Sequence, residues 1–438
     1  MHSLSQISNK RFEARNEGYE FYMNADSWRL SKDVIVHPLN VTKNLNNAMS
    51  ESYLRTLSYY AMEYSAGHVK AINNVFSKWA ENFILDEINK SAILNFKIFL
   101  GPDHEHLINV VRRFIVKWNE FNYRGVDSEV ISLFKKIHIK KAISGDSVKR
   151  KDPSKGPYTK EELEVIIKDI KTLYENKKIK LDCYCFMLLL IYTGRRTNQL
   201  TSLRVRDLIN DNNCFYLNIP RAKQGGNFRS DFTKISITDC LYRLLYEQAQ
   251  SIINIAEVFF EKTIAEKTKN ELPLFIYKTG LENCVSEEEI FLKRKSDFLH
   301  AKKKTMTKKI NNLSLNHNII SPRTNEIIKI NPVRFRYTIG SELANNGAPI
   351  YAIAKALDHT YLKSSGIYIK NHPGNVVEIN KRLADFFTPL SKLFMGEEDS
   401  SQNFKEKVKD IFDVHETMEQ ENHCENCRFL NPWERMNA

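Results

Sequence analysis

The feature that most constrains the fold is a change in hydrophobic period along the chain. Between residues 50 and 144, apolar side chains recur every three or four positions, as in "GHVKAINNVFSKWAENFIL" and "HLINVVRRFIVKWNEF", and this spacing gives an α-helix one apolar face. Farther on, "CFYLNIP" (214–220) and "TKISIT" (233–238) alternate as strands do, with Gly225 and Gly226 between them as in a hairpin. The sequence therefore predicts a mainly α chain with a small antiparallel β-sheet, in which a helical domain precedes a mixed α+β domain.

Composition places the domain boundaries. Residues 145–158 are basic and rich in glycine and proline, which is typical of a linker. We expect these segments: an N-terminal extension (1–48), a helical domain (49–144), the basic linker (145–158), a mixed domain (159–394) that contains a charged insertion (250–330), and a tail (395–438).

Two helices of the mixed domain have clear sequence signals. The stretch "LDCYCFMLLLIY" (181–192) is apolar nearly all round, which predicts a buried helix. The stretch "NPVRFRYTIGSELANNG" has Asn331 as its N-cap, Pro332 at the first helical position and Gly347 just past its end.

Charge and cysteine content narrow the functional class. A net charge of +12 and a pI near 9.1 favour a nucleic acid or another polyanion as partner. The basic clusters at 135–162 and 300–310 are candidate contacts for such a partner. The alternative is that each is an ordinary solvated loop. No apolar run approaches the roughly 20 residues that a membrane helix needs, and the first residues have no apolar stretch typical of a secretory signal. Seven cysteines at scattered spacings favour a reducing, cytoplasmic location.

Four separate stretches carry residues suited to phosphate chemistry. "YTGRRTNQL" (192–200) has Arg195 and Arg196 in a turn before a helix, where backbone N–H groups favour anions. Lys223 lies near the tip of the predicted hairpin, and Lys234 on its second strand is a weaker candidate. The alternatives are an exposed pair of corner arginines and lysines that only keep the turn soluble.

The other two stretches lie farther along the chain. Phe335, Ile339 and Leu343 form an apolar stripe on one helix, and Arg336 flanks it, whereas Arg334 is turned away from it. An arginine at such an edge needs an anionic partner. In "DHTYLKSSGIYIK" (358–370), a tyrosine follows the histidine by nine positions. Taken alone, this histidine and tyrosine would be core residues.

The order of these motifs resembles that of the tyrosine recombinases, also called phage-type integrases: TGxR, a hairpin lysine, an arginine on a later helix, then Gly-His or Asp-His with a tyrosine nine residues on. The resemblance covers about 159–390, and 50–144 looks like the helical core-binding domain of the family. The Asp-His form resembles the recombinases of bacterial mobile elements.

The resemblance implies a role for each residue. Tyr368 would attack the phosphodiester, Arg196 and Arg336 would bind its non-bridging oxygens, Lys223 would protonate the leaving 5′ oxygen, and His359 would hydrogen-bond the phosphate. Two guanidinium forks can neutralise an anionic substrate and its transition state, and a phenoxide leaves readily again, so the reaction needs no metal or other cofactor. Tyr361 is the next candidate nucleophile.

The same resemblance implies the partners. The domains would close around double-stranded DNA, and the protein would act as a homo-oligomer, a tetramer in the synapse, with companion recombinases or accessory factors where required. A segment over 376–394 would dock on a neighbouring protomer or pack on its own domain, and 1–48 could be a DNA-contacting arm. The candidate DNA-binding residues are Lys149, Arg150, Lys151, Lys155, Arg195 and Arg334.

Two positions depart from the family pattern. Val333 stands where a histidine is frequent, and Gln199 stands where an acidic residue is usual. These departures leave a second hypothesis open, a catalytically weakened DNA-binding accessory or regulator. A third is a topoisomerase that only relaxes supercoils, although the separate helical domain and the segment after the tyrosine favour recombination.

The tail contains one CxxC motif. Its ligand candidates for a structural zinc ion are His415, His423, Cys424 and Cys427. The alternative is a reduced, exposed tail without metal.

Overall fold

The structure is a computed structural model, and it describes residues 11–139, 145–222 and 228–369. The chain divides into two compact units. The N-terminal unit comprises residues 1–144, 225–230 and 254–304, and the C-terminal unit comprises 145–224, 231–253 and 305–438. The division differs from the predicted one because part of the charged insertion, 254–304, groups with the N-terminal unit.

The N-terminal unit combines two antiparallel hairpins with a helical bundle. The strands are β1 (Arg11–Glu13), β2 (Glu20–Tyr22), β3 (Trp28–Ser31) and β4 (Val34–Val36). The helices before residue 140 are α1 (Leu39–Thr42), α2 (Asn47–Glu63), α3 (Ala66–Asn82), α4 (Lys90–His104), α5 (Ile108–Glu120) and α6 (Glu129–Lys136). The predicted helical period of this region is confirmed.

Residues 11–48 share the core of this bundle, which differs from the separate extension expected from the sequence. Phe21 stacks on Trp28 with ring centroids 4.5 Å apart, and both side chains are buried in the same cluster as Trp79 and Trp118 of the bundle. The burial of these large aromatic side chains makes the hairpins part of one folded unit.

Buried hydrogen bonds hold the segment 254–304 to the same hairpins. The Asp297 carboxylate accepts from the Tyr19 hydroxyl and from the backbone N–H of Lys32, and the Lys32 ammonium donates to Ala301 O at 3.0 Å. In the rest of the segment lie α12 (Glu266–Glu271), α13 (Lys278–Glu282) and α14 (Glu287–Leu292).

The C-terminal unit surrounds a three-stranded antiparallel sheet in the order β5-β6-β7. Its strands are β5 (Leu208–Asp211), β6 (Cys214–Pro220) and β7 (Phe232–Ser236). The predicted hairpin is confirmed, since Leu217 pairs with Ile235. The remaining helices, of which α11 and α15 belong only in part to this unit, are α7 (Asp146–Lys149), α8 (Lys160–Glu175), α9 (Leu181–Thr193), α10 (Thr197–Leu200), α11 (Asp239–Phe260), α15 (Lys303–His317), α16 (Pro332–Asn345), α17 (Ile350–Ala356) and α18 (Gly366–Ile369).

The local sequence signals account for the helix ends near the site. Helix α9 is buried, as predicted, and it ends at Gly194, whose φ of +56° lies in the left-handed region that glycine adopts without strain. Helix α16 begins with Pro332, and the Asn331 side chain caps it by accepting from the backbone N–H of Val333 at 2.9 Å. These ends fix where the arginine-bearing segments start and stop.

The predicted linker is a folded segment of the C-terminal unit. Val148 of α7 is buried in a cluster with Ile339, Leu357 and Tyr368. The backbone N–H of Tyr158 donates to Thr338 Oγ1 at 2.8 Å. Among the described residues, no helix is both long and apolar enough to cross a membrane.

Candidate active site

Four of the five predicted catalytic residues converge in the C-terminal unit. Arg196 is the N-cap residue of α10, two positions after Gly194, and Arg336 lies on α16. His359 follows α17, and Tyr368 lies on α18. The Arg336 Nη1 atom donates to Gly194 O at 3.1 Å, across 142 residues of sequence. The end of α9 and the middle of α16 are thereby held together.

Arg196 and Arg336 both contact the turn that precedes the histidine. Arg336 Nη2 donates to Leu357 O, and Arg196 Nη1 donates to Asp358 O at 3.1 Å. The Arg336 side chain is buried, whereas the Arg196 side chain keeps 25% of its surface exposed. One guanidinium group therefore lies under the turn and the other reaches solvent beside it.

His359 and Tyr368 form the other side of the site. Their rings are nearly parallel, at 10°, with centroids 6.4 Å apart. His359 Nδ1 is 2.7 Å from Ser365 Oγ, which ties the turn after α17 to the start of α18. The histidine is half-buried, and Ser365 is fully buried.

Tyr368 is covered in this structure. Its side chain is only 3% exposed, and its ring lies against Gly340, where a Cβ atom would come within 2.6 Å of the ring. Glycine at this position of α16 is therefore what leaves room for the tyrosine ring. Burial raises the pKa of Tyr368 to about 12, although Arg336 and Arg196 act in the opposite direction.

Electrostatics set the charge of each group at neutral pH. Burial, with repulsion from Arg196, lowers the pKa of Arg336 to about 10, so this arginine stays protonated. Burial and the nearby Arg336 and Arg196 lower the pKa of His359 to about 4. The site therefore presents charged arginines, a neutral imidazole and a protonated phenol.

A buried carboxylate that sequence reasoning did not assign to the site lies among the arginines. The Asp358 side chain is 2% exposed and accepts from Arg221 Nε at 2.6 Å and from Gln199 Nε2 at 2.9 Å. Arg195 Nη1 and Arg196 Nη1 are 3.9 and 4.0 Å from its oxygens. The Asp-His sequence was the available signal for Asp358, whereas no local pattern marks Arg221.

Two of the predicted DNA-binding arginines are buried, which differs from the surface position that the prediction implies. Arg334 is 1% exposed and donates to Gly156 O and Lys329 O, both at 2.8 Å, beside Glu162. Arg195 is 3% exposed and lies next to Asp358. Neither guanidinium group is at the surface, because each is enclosed by the fold of its own unit.

The other predicted DNA-binding residues are at the surface. Lys149, Arg150, Lys151 and Lys155 are all exposed around α7, and Arg150 forms an ion pair with Asp146 at 3.0 Å. An exposed ion pair of this kind contributes little to stability, so these cations remain available to a polyanion.

Several predicted residues lie outside the described part of the chain. They are Lys223 and the zinc candidates His415, His423, Cys424 and Cys427. Lys234, on β7, is exposed and places its ammonium 3.9 Å from the centre of the Tyr216 ring. Within residues 11–139, 145–222 and 228–369, no group of three or more His, Cys, Asp or Glu side chains could hold a metal ion.

The two departures from the family pattern have different environments. Val333 is 49% exposed in the first turn of α16. Because its side chain is a hydrocarbon, this position offers no hydrogen-bond donor to a phosphate. Gln199 is buried, and its amide donates to both Asp358 Oδ2 and Pro220 O. Gln199 is therefore part of the network behind the arginines.

The fold and this site define a class of enzyme. A helical unit and a mixed α+β unit, with two arginines, a histidine and a tyrosine brought together from distant stretches, are the features of a tyrosine recombinase, whose chemistry needs no cofactor. Residues 158–374 match the model of the phage integrase family. The chain belongs to this family of recombinases.

Solved structures of recombinases are similar to this chain. The XerH site-specific recombinase bound to a palindromic difH substrate has 15% identity and a TM-score of 0.46, with 78% of this chain and 86% of that chain covered. The Tn1549 transposon integrase in complex with transposon right end DNA has 13% identity and a TM-score of 0.49, with 76% and 98% covered. No curated protein matches the chain.

Proposed function

We propose that the chain is a site-specific recombinase that cuts and rejoins duplex DNA for the integration or excision of a mobile element. The observation that carries this proposal is the convergence of Arg196, Arg336, His359 and Tyr368 around the turn at residues 357–359. The hydrophobic effect does not explain why these distant arginines are brought together, because their guanidinium groups are charged. Binding of an anionic phosphodiester would explain it.

In the proposed reaction, the Tyr368 oxygen attacks the scissile phosphorus atom. The bond from phosphorus to the 5′ oxygen breaks, and a 3′-phosphotyrosyl bond forms. Arg196 and Arg336 hold the non-bridging oxygens and stabilise the added negative charge. Lys223 gives a proton to the leaving 5′ oxygen, and the neutral His359 hydrogen-bonds the phosphate and assists removal of the phenol proton. Attack of a 5′ hydroxyl from another strand reverses these steps and completes strand exchange.

The resting state of the nucleophile fits such a reaction. The Tyr368 phenol is 3% exposed and has a raised pKa, so it stays protonated and out of contact with free phosphate in solution. DNA binding must uncover the Tyr368 oxygen, which removes the desolvation that raises its pKa and leaves the effect of Arg336 and Arg196, which lowers it.

The proposed partner is double-stranded DNA. The exposed cations Lys149, Arg150, Lys151 and Lys155 would neutralise phosphates, which makes the affinity depend steeply on salt. Because strand exchange needs two duplexes, each cut on both strands, we propose a homo-tetramer in the synapse, helped where needed by companion recombinases or accessory factors, in the cytoplasm where the DNA lies.

The test is capture of the covalent intermediate. The full chain is incubated with nicked, fragmented genomic DNA of its source organism, the protein is denatured, and covalently attached DNA is recovered and sequenced. The wild type should give enriched fragments, and Tyr368→Phe should give none. Tyr361→Phe is the matched control and should behave as the wild type, because Tyr361 is 73% exposed, whereas Tyr368 is buried beside His359.

Each other outcome points to a different function. Adducts with Tyr368→Phe but not with Tyr361→Phe would move the nucleophile to Tyr361. A wild type that binds DNA and makes no adduct would be an accessory or regulatory protein of the same fold. Plasmid relaxation without recombined product would indicate a topoisomerase.

A further inference from the structure

Asp358 occupies a backbone position that few residue types adopt. Its φ of +51° is in the left-handed region, which glycine adopts freely and which aspartate and asparagine adopt more readily than other side chains. Because glycine would fit this position at least as well, the contacts of the aspartate side chain show what the carboxylate adds.

The use of the side chain is visible in its contacts. The carboxylate accepts from Arg221 Nε at 2.6 Å and from Gln199 Nε2 at 2.9 Å. It is also within 4.0 Å of Arg195 Nη1 and Arg196 Nη1. The buried Asp358 carboxylate thus faces three guanidinium groups. The backbone carbonyl of Asp358 also accepts a hydrogen bond from Arg196.

The direct partner, Gln199, is the second departure from the family pattern. It stands three residues after Arg196, where the family usually has an acidic side chain, and it has no charge to offer the arginines. Its amide instead bridges Asp358 Oδ2 and Pro220 O. The negative charge is therefore present in the site, but it comes from the turn before His359 and not from α10.

We propose that Gln199 and Asp358 are a compensating pair, in which Asp358 is a positioning residue that supplies the carboxylate missing at position 199 and holds Arg196 and Arg221 in place for the phosphate. The inference rests on the proposed function of the site. Arg221 lies two residues before Lys223, at the base of the hairpin, and its backbone N–H donates to Asp231 O at 2.7 Å. The Arg221–Asp358 pair thereby ties the base of the β6–β7 hairpin to the turn that carries His359.

The test exchanges the two side chains. We compare four variants with the wild type: Asp358→Gly, Asp358→Asn, Gln199→Glu and the double variant Gln199→Glu/Asp358→Gly. The measured quantity is the rate constant of single-turnover adduct formation on a DNA fragment recovered with the wild type. Each Asp358 variant should lower the rate constant on the order of 10- to 100-fold, as expected for coupled neighbours. Gln199→Glu alone should also be slower, because two carboxylates then meet at hydrogen-bond distance. The double variant should recover to within about threefold of the wild type, since the charge returns to α10.

The rate constant separates positioning from a merely structural role. Loss of folding lowers the amplitude of adduct formation and leaves the rate constant of the folded molecules unchanged. Asp358→Gly also removes the left-handed strain, and Asp358→Asn keeps the shape and tolerates the same backbone, so one of the two remains measurable if the other fails to fold. A wild-type rate constant in either variant, or a double variant no faster than the single ones, would overturn the inference.

A second measurement keeps the inference separate from the proposed reaction. Inorganic phosphate is titrated against each variant while the thermal midpoint is followed. A change in phosphate stabilisation in the Asp358 variants that the double variant reverses would support the pairing even if the wild type formed no adduct. Unchanged phosphate binding in all variants would count against it even if adducts formed.

Discussion

The C-terminal unit contains two arginine clusters, each built around a buried carboxylate, that differ in charge balance. In the first, Arg334 donates to two backbone carbonyls, lies beside the Glu162 carboxylate at 3.5 Å and stacks on the Tyr158 ring at 3.8 Å. In the second, the Asp358 carboxylate faces Arg195, Arg196 and Arg221, and no other carboxylate of the described residues forms an ion pair with them. The first cluster is balanced, and the second carries an excess of positive charge.

From this difference we infer which arginines serve the fold and which serve a ligand. A buried ion pair with its hydrogen bonds satisfied is complete without a further partner. In the second cluster, Arg195 Nε and Nη1 make no hydrogen bond within the described residues, and burial lowers the pKa of Arg195 to about 10. Buried cations that outnumber their carboxylates are unfavourable unless a further anion joins them, and we infer that this anion is a phosphate bound at the partly exposed Arg196.

The largest expected effect comes from breaking the balanced cluster. Arg334→Met should destabilise the protein by about 3–5 kcal/mol, because it leaves the Glu162 carboxylate buried without its cation. Urea unfolding measures this loss. The control Arg334→Met/Glu162→Gln removes the stranded charge, keeps the capping contact of Glu162 with Thr159, and should recover much of the stability.

The rate constant of adduct formation by the folded fraction should not change in Arg334→Met. If stability were retained and the rate constant fell, Arg334 would belong to the phosphate site, and the contrast between the two clusters would be lost.

The next largest effect concerns Arg336, whose charge interacts with Arg196, Arg195 and Asp358 of the second cluster. Arg336→Lys keeps the charge but loses the planar fork that fits two phosphate oxygens. The rate constant for adduct formation should fall roughly 10²- to 10³-fold, as for removal of one oxyanion donor. Arg243→Lys is the control, since this exposed arginine of α11 pairs only locally with Asp239, and its rate should match the wild type. An Arg336→Lys variant as fast as wild type would remove Arg336 from the site.

Sequence reasoning reached the parts of the fold and site that depend on local signals. The cap at Asn331, the glycine end of α9 and the strand alternation of the hairpin are each determined by neighbouring residues, and the structure contains all three. The placement of Arg196, Arg336, His359 and Tyr368 followed from motif order, because the spacing of motifs along the chain is also a sequence property.

Long-range pairings could not be predicted in the same way. The helix face of Arg334 points away from the apolar stripe, which predicts an exposed side chain, yet its buried partner Glu162 is 172 residues earlier. The Arg221–Asp358 pair spans 137 residues, and the aromatic packing of Phe21 and Trp28 into the helical core is equally non-local. Hydrophobic periodicity does not indicate which buried arginine will pair with which carboxylate, because tertiary packing determines these pairs.

The smallest expected effect tests the charge excess directly with a free anion. Inorganic sulfate at ten times its Kd should stabilise the protein by roughly 1.4 kcal/mol and raise the thermal midpoint by a few degrees, relative to chloride at equal ionic strength. The shift should vanish in Arg336→Lys, which cannot bind two sulfate oxygens, and persist in Arg334→Lys, whose site already has its anion in Glu162. Equal shifts in both variants would mean that sulfate binds elsewhere, and the excess charge around Asp358 would then need another explanation.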